Sequence, residues 1–224
     1  MGFTEREEVN GLGKNRVEGL TDGIFGTVMT ILVLSLPVLS ISDLGPLDAP
    51  GIDVYGTLLR VLIPRILIYV VSFAILGVYW VGHHNLFHYI KRTDRILLWV
   101  NLGFLMCVGL LPFSTVLLGR YDTLQAAVVV YGLNLMAVSL LLRVIWWYAT
   151  NGGRLVDHDL DPHVVRLAAR RIIVGPIIFV VGITASFVPG FGTWLSLFLY
   201  SLAAVFYIIP SHLDIHFSRR HVHD

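Results

Sequence analysis

Asp22 is an acidic residue set inside a long apolar run, RVEGLTDGIFGTVMTILVLSLPVL, and a charge in that setting needs a physical reason. A carboxylate facing hydrocarbon is costly, so it pairs with another element or meets water, and it marks an ion or proton path by default. Downstream, Thr27, Thr30, Ile31 and Leu34 recur at spacings of three and four, which places them along one stripe of a helix. Hydroxyl and branched apolar side chains in such a stripe suit a narrow pore, where hydroxyls replace part of an ion's hydration and apolar rings gate by dewetting. Small residues at the same spacing also let helices pack closely. Spacing alone favours packing. A second group, His83, His84 and His88, has the i, i+4 pair that can share a metal, yet no third ligand stands near it. Hydrogen bonding to Asp22 or to carbonyl groups is the better account, and no metal or other cofactor is expected.

These residues need a membrane around them. Of 224 residues 56% are hydrophobic and 14% charged, and the mean hydropathy is +0.76, which excludes an ordinary soluble domain. Six segments, at about 16–39, 57–82, 95–118, 124–149, 170–189 and 192–212, are long enough to cross a hydrocarbon core of ~30 Å as helices of about 20 residues. The alternation of a barrel strand is absent. The expected fold is all-α, with a segment at 1–15, a six-helix membrane domain at 16–212 and a tail at 213–224.

Lysine and arginine decide the orientation. Arg6, Lys14 and Arg16 precede the first span; Lys91, Arg92 and Arg95 follow the second; Arg154, Arg166, Arg170 and Arg171 follow the fourth; Arg219 and Arg220 lie in the tail. The opposite loops are nearly bare, with Arg120 the exception. Both termini are therefore expected in the cytoplasm of a multi-pass protein of the cell membrane, and the even number of spans follows. The acidic outer loop, with Asp43, Asp48 and Asp53, reads as a solvated loop, although it could concentrate cations near a mouth.

The remaining polar residues have structural accounts. Arg60 snorkels, and Arg65 pairs with an acid or with carbonyls, since no regular arginine ladder exists to sense voltage. Asn101 bonds across helices, and Pro112 kinks the third span. Asp161-Pro162 begins a helix, read as a short interfacial one leading into the fifth span. Cys107 is a small buried hydrophobe. The basic, histidine-rich tail contacts anionic lipid. Nothing points to nucleic acid.

Four motifs in order resemble the transmembrane protein 175 family of potassium channels, in its prokaryotic single-repeat form. Arg16-Val17-Glu18-Gly19-Leu20-Thr21-Asp22 is similar to its R-x-x-x-F-S-D signature. Trp80-Val81-Gly82-His83-His84-Asn85-Leu86-Phe87 is similar to its W-x-x-H stretch. Asp94 with Asn101-Leu102, then Leu111-Pro112-Phe113-Ser114-Thr115, resemble the helix that follows. The resemblance spans essentially the whole chain. It implies a homotetramer with helix one lining a central pore narrowed by apolar side chains, Thr27, Thr30, Ile31 and Leu34 facing the ion. It implies a polar network of Arg16, Thr21, Asp22, Trp80, His84 and Asn101 holding that helix. The chain lacks T-V-G-Y-G and so has no carbonyl filter of the usual potassium-channel kind. It departs from the family at Leu20 and Thr21, which keep the physical type. It departs also at Thr27, where the family carries an apolar ring, so the tightest ring moves to Ile31 or Leu34.

The expected function is passive conduction of K+ through this homotetramer in a lipid bilayer, with no chemistry performed. A proton-coupled transporter or proton-leak pathway using Asp22 and His84 is the first rival. A membrane enzyme built on His83, His84 and His88 is the second.

Overall fold

The computed structural model describes the backbone of residues 2–34, 54–121 and 124–208, all of it helix, turn or short connection. The acidic loop, the end of the first span after Leu34 and the basic tail lie outside the described residues. Seven helices follow in order: α1 Gly2–Leu34, α2 Val54–Tyr89, α3 Arg95–Gly109, α4 Leu111–Arg120, α5 Gln125–Thr150, α6 Pro162–Ala185 and α7 Gly192–Ile208. By length and composition, α1, α2, the α3–α4 pair and α5 are long and apolar enough to cross a membrane, and α7 is a shorter apolar helix. The chain is a multi-pass membrane protein.

Three sequence expectations shift. The second helix runs to Tyr89, past the expected bound at 82, and its three histidines lie in its last two turns. No separate interfacial helix precedes the fifth span: Asp161 caps α6 by accepting from the His163 N–H at 2.7 Å, and the helix continues unbroken to Ala185. In the third span the chain breaks at Leu110, between α3 and α4, with Pro112 in the first turn of α4. Proline has no N–H and its ring crowds the carbonyl four residues back, so the break falls two residues before it. Asn134 of α5 mends the gap. With its amide oriented to satisfy both groups, it donates to the Cys107 carbonyl at 3.0 Å and accepts from Ser114 Oγ at 3.0 Å and the Leu111 N–H at 3.3 Å. Pro64 and Pro176, by contrast, sit within continuous helices.

α5 is the centre of the subunit. Its face of Val128, Tyr131, Leu135, Val138, Ile145, Trp146 and Ala149 is fully buried, packed against α3, α4 and α6. Tyr200 of α7 wedges into this core because Gly132 of α5 and Gly182 of α6 leave room; a Cβ at either would strike its ring. Two buried hydroxyl groups reach across helices to α5: Ser72 Oγ pairs with Tyr131 OH at 2.8 Å, and Tyr79 OH donates to the Leu135 carbonyl at 2.7 Å. Unpaired, each would carry a desolvation cost of about 1–3 kcal/mol.

At one end of the bundle the connections are laced together. Ile90 and Val156 form an antiparallel bridge, and the Lys91 N–H donates to the Leu155 carbonyl at 2.8 Å. Asp94 caps α3 through the Leu97 N–H at 2.8 Å and also accepts from Tyr148 OH. The early part of α1 reaches the same end, where Gly13 lies close to Thr93. Lys14, Arg16, Lys91, Arg92, Arg95, Arg154 and Arg166 therefore gather at one pole.

Candidate functional site

α1 has two unlike faces. Val17, Thr21, Phe25, Val28 and Leu32, spaced four, four, three and four apart, are buried against α2, α3 and α4. That spacing follows one stripe of the helix, so the other side stands clear of the subunit. There lie Gly23, Gly26, Thr27, Thr30, Ile31 and Leu34, all exposed within a single chain, Leu34 to 76%. Thr27 Oγ1 donates to the Gly23 carbonyl at 2.8 Å and Thr30 Oγ1 to the Gly26 carbonyl at 2.9 Å. Both hydroxyl protons are thus spent on the helix, and the oxygen lone pairs remain on the open side. Gly19, Gly23 and Gly26 have open space where a side chain would go.

Of the six residues expected to form one polar network, five fall into two separate clusters and Arg16 joins neither. In the buried one, His83 Nε2 donates to Asn101 Oδ1 at 2.9 Å, and Asn101 Nδ2 donates to Thr21 Oγ1 at 3.3 Å. All three side chains are 2% exposed or less, so the chain of bonds pins α1 to α2 and α3 inside the apolar interior. In the outer cluster, Trp80 Nε1 donates to Asp22 Oδ1 at 2.8 Å, and the ring of His84 stacks on Trp80 with centroids 6.0 Å apart. Asp22 and His84 both lie on exposed faces. Arg16 is exposed and has no hydrogen bond to a described residue; nearby, Lys14 and Glu18 pair at 3.9 Å.

His83, not His84, is the histidine joined to Asn101. The two are adjacent, about 100° apart around the helix, and only packing decides which one turns inward. The ring of His83 is sandwiched between Phe87 at 4.1 Å and Phe104 at 5.3 Å, which accounts for the choice. Among the described residues no three His, Cys, Asp or Glu side chains converge as a metal site would require.

A bundle of apolar helices, with one helix packed through a largely apolar inner face pinned at Thr21 and bare along its small-residue outer face, is an integral membrane protein. The sequence model of the endosomal/lysosomal potassium channel TMEM175 family matches residues 16–112. A relative described as a potassium channel of Streptomyces collinus is 32% identical over 199 residues, covering 86% of this chain and 90% of that protein. The crystal structure of a lysosomal potassium-selective channel TMEM175 homolog from Chamaesiphon minutus superposes with a TM-score of 0.74 at 26% identity, over 88% of this chain and 97% of that one. The endosomal/lysosomal proton channel TMEM175 of Rattus norvegicus is 23% identical over 169 residues, or 75% of this chain and 32% of the rat protein. The chain belongs to the TMEM175 family, a family of ion channels and not of enzymes.

Proposed function

We propose that this cation channel conducts K+ in preference to Na+, through a homotetramer whose four α1 helices surround one axis. The observation that carries the reading is the bare face of α1. A stripe of Gly23, Gly26, Thr27 and Thr30 makes poor packing against lipid tails, but suits close approach of identical helices and contact with a partly dehydrated ion. Ile31 and Leu34 close the same stripe, so the apolar constriction falls there, with Thr27 as a wettable ring below it. Asp22 tunes the stance of α1 through Trp80 and need not touch the ion. The potassium-channel relatives support the choice of ion.

The same reading has six membrane crossings, with α6 and α7 as the fifth and sixth, and puts the basic pole and both termini in the cytoplasm of a cell membrane protein. Bilayer recording of the purified protein under a potassium–sodium gradient tests it. Currents reversing near the potassium potential are expected. Ile31→Ala and Leu34→Ala should raise conductance, and Thr27→Ile should lower it. If none of the three changes conductance or selectivity, α1 does not line the path.

Proton permeation is the second reading, favoured by the exposed Asp22–Trp80–His84 cluster and by the rat relative's name. Currents that follow a pH gradient in the absence of K+, and that fall in Asp22→Asn, would choose it.

A further inference from the structure

A cavity of about 620 Å³ lies between α2, α5, α6 and α7, in the half of the bundle nearer the basic pole. Its size is within the roughly 300–1,000 Å³ of small-molecule sites. Its walls are apolar, with Phe179 and Ala204 deep inside, and Arg171 is the one charged residue among the described residues that line it. That guanidinium donates to the Tyr207 carbonyl at 3.1 Å, which holds it at the rim beside α7. Arg166 and Arg170 continue the positive charge along the exposed side of α6. A long apolar slot with a cation at the headgroup end complements one kind of molecule: an amphiphile with an anionic head and a hydrocarbon tail.

Trp80 gives the cavity a consequence. It forms part of the wall, and its Nε1 holds Asp22 of α1. What fills the cavity therefore bears on the side chain that positions the exposed helix. We propose that this cavity binds an anionic phospholipid from the leaflet at the basic pole, with its phosphate on Arg171 and an acyl chain inside, and that occupancy alters conduction through the Trp80–Asp22 contact. Only the effect on conduction rests on the channel reading.

Gly77 supplies the test. It lines the cavity, and a Cβ there meets nothing within 4 Å, so Gly77→Leu starts its side chain in open space at the cavity wall and in a residue better suited to a helix. Native mass spectrometry of the full chain from mixed micelles with equal phosphatidylglycerol and phosphatidylcholine should show the anionic lipid retained about fivefold over the zwitterionic one. Gly77→Leu and Arg171→Gln should each abolish that preference. Gly77→Leu keeps the test sound if loss of the Arg171–Tyr207 bond impairs folding. In vesicles, K+ flux of the natural chain should change with the fraction of phosphatidylglycerol, and that of Gly77→Leu should not.

Equal retention of the two lipids, or undiminished preference in Gly77→Leu, overturns the site; the chain after Ile208 or a second copy filling the cavity would give that result. Flux indifferent to phosphatidylglycerol overturns the coupling. Preferential retention without K+ flux in any vesicle leaves the lipid site standing and sinks the channel reading.

Discussion

α5 and α1 are both apolar helices of one bundle, yet they are built for opposite ends. α5 turns its buried face to α3, α4 and α6, and its buried hydroxyl partners are all satisfied. α1 is finished on one side only. Its inner face is held by Phe25, Val28 and Leu32 and by the Thr21–Asn101–His83 chain, while its outer face bears glycines and threonines with nothing of the subunit against them. A close-packed interior resists change, since one added methyl group has nowhere to go. An open face tolerates change within the subunit and shows its effect only in what the subunit assembles or conducts.

Glycine substitutions should break the comparison most sharply. Gly182→Ala puts a Cβ into the Tyr200 ring, and overpacking of this kind costs about 1–3 kcal/mol. Thermal unfolding followed by size-exclusion should show a clear loss of stability. Gly23→Ala, with open space around the new methyl, should leave subunit folding intact and alter conductance. Equal losses of stability at the two sites would erase the distinction between the helices.

Asn101→Leu comes next. It strands Thr21 and His83 in the apolar interior, each an unmade hydrogen bond, for about 2 kcal/mol in all. Proteolysis or hydrogen exchange should find α1 loosened while α5 stays protected. His84→Ala should have no such effect, because that ring only stacks on Trp80. Matching behaviour of His84→Ala and Asn101→Leu would mean that the inner cluster is wrongly assigned.

Trp80→Phe removes the donor to Asp22 and keeps most of the aromatic bulk. The bond lies on a partly exposed face, so about 1 kcal/mol is expected, less than for Asn101. Current recordings should change more than the melting temperature does. The smallest effect on stability belongs to Ile31→Ala and Leu34→Ala, within about 0.5 kcal/mol as for surface positions, with the change confined to conductance.

Much of this was legible in residue order alone. Hydropathy placed the apolar spans, since a helix crossing hydrocarbon must satisfy its own backbone and cover itself in apolar side chains. The spacing of Thr27, Thr30, Ile31 and Leu34 marked one stripe of α1, and Asp161-Pro162 announced the start of α6. These are local properties, carried by a residue and its neighbours within a turn or two. Which face was buried, which of His83 and His84 turned toward Asn101, how Asn134 closed the break before Pro112, and that a cavity with Arg171 at its rim borders Trp80 were decided by tertiary structure. Each depends on what stands opposite, tens of residues away in the chain, and a hydrogen bond or a contact between rings exists only when both partners are in place.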